Sequence, residues 1–177
     1  KGELFDDTVN VSFAVFRTEQ DNIAEVAGMS GATTYYSAAE GITSEGYELE
    51  VSGELLPGLQ TTAGYTFVDI TDADDRHAVT YAPKHMVRAS TTYRVPGIDK
   101  LKVGGSLSWQ DEIYNGIAEQ DSYALVNLMA SYEIDEHWNV SANLNNLTDE
   151  KYLTSLYWTQ AYYGAPRNAS MTVSWKY

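Results

Sequence analysis

Every second residue in eight stretches of this chain is uncharged, although 20% of the sequence is charged. One face reads Val9, Val11, Phe13, Val15; Tyr47, Leu49, Val51, Gly53, Leu55; Leu59, Thr61, Ala63, Tyr65, Phe67; and Val87, Ala89, Thr91, Tyr93, Val95. It continues through Leu101, Val103, Gly105, Leu107, Trp109; Val126, Leu128, Ala130, Tyr132, Ile134; Trp138, Val140, Ala142, Leu144; and Met171, Val173, Trp175, Tyr177. A random draw of that size would lack charge only about a few times in ten thousand. The positions between them are polar, among them Asn10, Ser12, Glu48, Glu50, Glu54, Arg88, Arg94, Lys102, Ser106, Asn127, Glu133, Asn139 and Asn143. Successive side chains of a strand point to opposite faces. The pattern therefore predicts an all-β, antiparallel sheet with one uncharged and one wet face, which is what the wall of a transmembrane β-barrel needs.

Composition narrows the classes. At 177 residues the chain is long enough for one domain. Mean hydropathy is −0.35, and no run approaches the ~20 apolar residues of a membrane-spanning helix; barrel strands carry a far weaker signal. A net charge of −14 argues against nucleic acid or anionic lipid as partner. The absence of cysteine excludes disulfides and thiolate metal sites. Fourteen tyrosines and four tryptophans suit strands and interfaces.

Connections alternate in length. Short ones fall at Phe5–Asp7, Leu56–Gly58, Pro96–Lys100 and Asp135–His137, and long ones at roughly 22–34, 70–82, 111–121 and 153–165. Short turns on one side and long loops on the other match outer-membrane barrels, with the long loops outside. Tyr93, Tyr132, Trp138, Trp175 and Tyr177 fall near short turns, and Tyr65, Phe67 and Trp109 near long loops, so two aromatic girdles are expected. A soluble sandwich shares the short strands, but it has no need of aromatics banded at two levels. Lys1–Leu4 is neither a start methionine nor a leader. The chain is expected to open in the tail of an earlier strand and to close on a last strand, Ala169–Tyr177.

Candidate chemistry is sparse. Asp69, Asp72, Asp74 and Asp75 crowd one long loop beside His77; without the turn glycine and closing glutamate of a calcium loop they read as a solvated acidic loop. Glu48 and Glu50 share a face, yet no base, nucleophile or pocket accompanies them for glycoside chemistry. His77, His85 and His137 are too scattered for a metal set, and no Ser–His–Asp constellation assembles. No catalytic residue is read, and the chain is not expected to be an enzyme.

Further segments resemble the C-terminal part of TonB-dependent outer-membrane receptors of the ferric-siderophore class. They are Gly41–Glu50, Gly64-Tyr65-Thr66-Phe67, Ala82-Pro83-Lys84-His85, Asn143–Tyr152, Tyr163–Asn168 and the aromatic terminus. The resemblance implies that residues 1–177 are the last eight strands of a barrel of about 22, with the plug domain and earlier strands absent. It implies an outer-membrane receptor for an Fe(III)-siderophore, carried as ligand with no cofactor. It also implies energy from the TonB complex through an N-terminal segment outside this sequence, contact with outer-membrane lipid, and handling of the C-terminal strand by the barrel-assembly machinery.

On that reading Tyr157, Trp158, Tyr162, Tyr163 and Tyr114 are candidate ligand contacts, since rings on outer loops stack against a flat chromophore. Trp109, Trp138, Val173, Trp175 and Tyr177 mark the membrane interface and the terminal assembly signal. Glu48, Glu50 and Glu54, with Arg88, Arg94 and Lys102, are expected to pair across the lumen with a plug. The alternatives are a self-standing eight-stranded outer-membrane structural or adhesion protein, and a soluble β-domain binding carbohydrate or protein. Whether these strands close into a barrel by themselves is open at this point.

Overall fold

Apolar and aromatic residues alternating with small polar ones fit a pleated surface half of which meets an apolar medium, and the computed structural model forms strands wherever that alternation runs. The structure describes residues 2–4, 8–21, 23–39, 41–157 and 161–177. Among them are thirteen strands: β1 (Gly2–Leu4), β2 (Val9–Gln20), β3 (Ile23–Ser30), β4 (Thr33–Ala39), β5 (Ile42–Leu56), β6 (Leu59–Thr71), β7 (His85–Arg94), β8 (Leu101–Gln110), β9 (Ile113–Tyr114), β10 (Glu119–Gln120), β11 (Tyr123–Glu133), β12 (Trp138–Asn145) and β13 (Asn168–Trp175). Nine of these form one sheet in the order β1-β2-β5-β6-β7-β8-β11-β12-β13. Every neighbouring pair is antiparallel, so the sheet is an up-and-down meander.

Its register joins the uncharged positions into one continuous face. Phe13 lies opposite Leu49, Leu49 opposite Tyr65, and Tyr65 opposite Val87. Ala89 faces Leu107, Leu107 faces Val126, Ala130 faces Ala142, and Val140 faces Val173. A slip of one residue at any pairing would carry charges onto this face. None of the described strands stacks on it, and Phe13, Val15 and Met171 are 60%, 71% and 72% exposed. A sandwich would bury these side chains, whereas hydrocarbon covers them in a membrane wall.

The sheet is not closed on itself. β1 pairs with β2 alone and β13 with β12 alone, and these two are its edges. Unpaired backbone groups cost several kcal/mol each in lipid, so a wall in hydrocarbon must pair both edges.

The two ends of the sheet differ as expected. At the short-turn end, Pro57 and Gly58 occupy the central positions of a tight turn, with Gly58 at φ 80°, as a type II turn demands. The Glu54 carboxylate accepts the Gly58 N–H (2.7 Å) and the Gln60 amide (3.0 Å). Arg94 donates to Asp99 O (2.8 Å). Both residues brace turns at this end of the sheet. Asp135 Oδ1 accepts N–H from His137 and Trp138, each at 2.9 Å. These bonds, the His137 one first, hold its carboxyl below the usual range. The turn expected at Phe5–Asp7 lies outside the described residues.

At the other end β5 and β6 run to 15 and 13 residues, beyond the ~9–11 needed to cross. The loop expected at 22–34 is the β3–β4 hairpin, turning where Gly31 takes φ 62°, and the 111–121 loop holds the small β9–β10 pairing.

Aromatic residues of the wall gather in two clusters. Near the long loops Phe13, Tyr47, Tyr65, Phe67 and His85 are in ring contact, with Tyr47–Phe67 at 5.2 Å and Phe67–His85 at 4.9 Å. Tyr65 Oη and His85 Nδ1 are hydrogen bonded at 2.7 Å. Trp109 sits opposite Val87 on the same face. Near the short turns Trp138 meets Trp175 at 6.4 Å and Trp175 meets Tyr177 at 4.4 Å, with Val173 two residues inward on the same face.

Candidate functional site: the outer loop layer

Three connections leaving the same end of the sheet, the described residues of 72–84, 111–122 and 146–167, are tied to one another and contain three of the five buried residues among those described. Leu156 and Ile113 are 0% and 4% exposed, and Asn146 is buried with them.

The first loop is stiffened by its own acids. Asp72 Oδ1 accepts the N–H groups of Asp74 and Arg76 (3.0 Å each), an aspartate closing its own turn. The Arg76 guanidinium returns to Asp72 and Asp74, both at 2.9 Å. The Arg76 backbone N–H, and then its side chain, hold the Asp72 carboxyl below its ordinary range. Asp69 Oδ1 lies 2.9 Å from both His77 Nδ1 and Lys84 Nζ. These carboxylates face Arg76, His77 and Lys84 of their own chain, and among the described residues no trio of acids or histidines is placed to hold a metal ion.

Asn146 organises the last loop. It takes a left-handed φ of 51°, its Nδ2 donates to Glu150 O (2.8 Å) and Ala165 O (3.1 Å), and its Oδ1 accepts Glu150 N–H (2.8 Å). Its own N–H donates to Asn127 Oδ1 (2.9 Å), which fixes the loop to β11. Tyr152 packs against Tyr123, the rings tilted by 32° with centres 4.7 Å apart, and lies against Gly164, where any side chain would collide with the ring. Leu153 N–H donates to Gln120 Oε1 (2.7 Å) in the middle loop.

Two more links complete the layer. Thr80 gives its hydroxyl to Tyr114 O (2.7 Å), and Thr80 O accepts Tyr114 N–H (2.9 Å). Asn115 Nδ2 donates to Leu156 O (2.8 Å).

The predicted aromatic residues divide between two places. Tyr157 meets Tyr81 edge to face at 5.4 Å, and Tyr114 belongs to the same linked loops. Tyr162 and Tyr163 stand on the returning arm of the last loop, where Tyr162 O accepts Thr154 N–H (2.8 Å) and Lys151 Nζ lies 4.8 Å from the Tyr163 ring centre. All four tyrosines are exposed. Trp158 lies outside the described residues. Sequence reasoning missed Tyr81, whose only signal was its place directly before Ala82-Pro83, and it missed Asn115 and Asn146 as organising side chains.

On the inward face Glu50, Gly64, Arg88 and Ser108 share one level across four strands. Glu48, Glu50, Arg88 and Lys102 have no side-chain partner among the described residues. Around them lies an uncharged polar floor of Ser90, Thr92, Ser106, Asn127, Asn143 and Asn145, where Asn127 Nδ2 donates to Ser106 Oγ (3.0 Å). A larger depression of about 1010 Å³ lies on the outward face, where Gly105, Ala130 and Ala142 leave space between Tyr93, Leu128 and Met171. It faces hydrocarbon, away from the loops.

Residues 1–147 match the family model described as TonB dependent receptor-like, beta-barrel. Over its whole length the chain is 41% identical to the ferric-pyoverdine BN7/BN8 receptor of Pseudomonas putida, covering 21% of that protein. It is 36% identical to the ferripyoverdine receptor of Pseudomonas aeruginosa, covering 24%. Among solved structures it superposes on the pyoverdine outer membrane receptor FpvA from P. aeruginosa bound to pyoverdine, with a TM-score of 0.89 at 34% identity over 99% of this chain and 28% of that one. The siderophore receptor PiuA from Acinetobacter baumannii gives 0.84 at 25% identity, over 99% and 27%. The chain thus spans about a fifth to a quarter of the length of these curated relatives.

Proposed function

The chain belongs to the TonB-dependent receptors, as part of the β-barrel that seats them in the bacterial outer membrane, and from that premise we propose that it lends wall and outer loops to a receptor for ferric siderophores. The observation that carries this reading is the tied layer of aromatic loops standing at one end of a wall whose outward face is bare. The names of the relatives support a chelate of the pyoverdine class as ligand. Iron is cargo inside that chelate, not a resident cofactor, and the work is capture and passage without catalysis.

Tyr114, Tyr157, Trp158, Tyr162 and Tyr163 offer rings to the chelate, each good contact contributing ~0.5–1.5 kcal/mol. Beneath them Glu48, Glu50, Arg88 and Lys102 present charges to a plug domain supplied by the rest of the complete protein, whose rearrangement is driven by the TonB complex. The β13 strand, with Val173, Trp175 and Tyr177 at its end, is the segment offered to the barrel-assembly machinery.

The test is binding and uptake of iron-55-labelled ferric pyoverdine by cells whose only such receptor is the complete protein. The pair Tyr157→Ala with Trp158→Ala should weaken binding about 5- to 150-fold if two ring contacts are lost. Unchanged affinity removes both from the site, and failure of the unmodified protein to retain the chelate overturns the ligand class.

A further inference from the structure

The links between the three outer loops form a closed circuit. Thr80 holds Tyr114; Asn115, the next residue, holds Leu156; Tyr157, the next again, meets the ring of Tyr81; and Tyr81 adjoins Thr80. Resting on the uptake reading above, we propose that Tyr81 is a ligand-contacting residue acting with Tyr157, and that Asn115 is the positioning residue that keeps this two-ring platform assembled before the ferric chelate arrives.

Asn115 is suited to the task because both ends of its amide are engaged in different loops. Its Oδ1 accepts the N–H groups of Ile117 (3.0 Å) and Ala118 (2.9 Å), closing a turn in which Gly116 takes φ 83°. Its Nδ2 reaches across to the carbonyl of the buried Leu156. One side chain thus makes its own loop's turn and clamps the next loop. An aspartate here keeps the turn acceptor but sets an oxygen against the Leu156 oxygen. That isosteric change separates the clamp from the turn.

The rings keep a face for the ligand. Tyr81 is 38% exposed and Tyr157 is 53% exposed even while they touch. Loops ordered in advance do not lose freedom when the ligand binds, and apparent affinity falls in proportion to the fraction of molecules in the competent arrangement. Opening the circuit should therefore weaken binding without disturbing the barrel, whose strands pair independently of it.

The experiment uses the complete receptor in detergent with iron-55-labelled ferric pyoverdine as probe, and amide hydrogen exchange as second readout. Asn115→Asp should bind about tenfold more weakly. The Thr154 and Gly164 amides of the last loop should exchange faster while the Ala118 amide stays protected. Tyr81→Ala should also weaken binding about tenfold, with barrel melting unchanged. Normal affinity together with normal Thr154 protection in Asn115→Asp overturns the clamp, and normal affinity in Tyr81→Ala overturns the platform. Should Asn115→Asp fail to fold, Asn115→Ser keeps an acceptor for the turn but cannot reach the Leu156 carbonyl; it should reproduce the loss, and normal affinity with normal Thr154 protection there refutes the clamp. If the unmodified receptor does not retain ferric pyoverdine, the ligand reading fails while the exchange measurement still decides the clamp.

Discussion

An arginine placed at Leu107 or at its neighbour Ser106 separates the two faces of the wall by one residue. Leu107 stands opposite Ala89 and Val126 on the outward face and is 39% exposed. The midpoint of β8 falls between Gly105 and Ser106. A strand tilted by about 45° climbs about 2.4 Å per residue along the membrane normal, which puts Leu107 within about 4 Å of the midplane of a core ~30 Å thick. At that depth an arginine facing lipid costs ~2–4 kcal/mol. Ser106 points inward, and its replacement forfeits the hydrogen bond from Asn127 Nδ2, worth ~0.5–1.5 kcal/mol, while the guanidinium finds water. Leu107→Arg should therefore be the costlier change by about 1–3 kcal/mol. The assay is urea titration of the complete protein folding into phospholipid vesicles, followed by tryptophan fluorescence. Equal penalties, or a larger one for Ser106→Arg, would refute the assignment of faces.

Three further outcomes are expected. Because Asp135 ionises more readily in the folded turn than in the unfolded chain, its contribution is complete above the ordinary carboxylate pKa of about 4 and disappears as pH falls through the lower folded-state value; exchange of the His137 and Trp138 amides should accelerate below that pH in the native protein, and Asp135→Asn should abolish this acid dependence. Gly164→Ala drives a methyl group into the Tyr152 ring, so it should destabilise the last loop by ~1–3 kcal/mol, seen as lost protection of the residue-164 amide that donates to Tyr152 O. Millimolar calcium should leave the 72–84 loop unchanged in exchange and proteolysis, since Arg76 already sits on Asp72 and Asp74, and His77 and Lys84 on Asp69; a calcium-dependent shift would contradict that.

The wall was legible because a period of two leaves a mark in every strand: Phe13, Leu49, Tyr65 and Val87 lie side by side as the alternation requires. The turns were legible through Pro57-Gly58 and Asp135, whose local chemistry fixes backbone shape. The β3–β4 hairpin was not, because residues 22–34 mix Ala, Gly and Ser without sustained alternation, and its strands continue past the stretch taken as loop. The loop layer was legible only as a collection of rings. Asn115 and Asn146 act through contacts 41 and 19 residues away, and an asparagine that clamps a distant carbonyl has the same local signature as one in a solvated turn. The turn bonds of Glu54 and Arg94 were hidden for a related reason: alternation gives the face of a charged residue, but not whether a nearby turn engages it.

The central claim, that hydrocarbon covers the uncharged face, can be tested with single cysteines: these 177 residues contain none, and any cysteine elsewhere in the complete protein is first replaced by serine. Single cysteines from Gly105 through Leu107 on β8 and from Val126 through Ala130 on β11 would carry nitroxide labels in the complete protein reconstituted in vesicles, with collision rates measured against oxygen and against a water-soluble nickel chelate. The account predicts oxygen-dominated accessibility at Gly105, Leu107, Val126, Leu128 and Ala130, and its loss at Ser106, Asn127 and Met129. Water-soluble reagent reaching the first group as readily as the second, or a profile with no period of two, would contradict it.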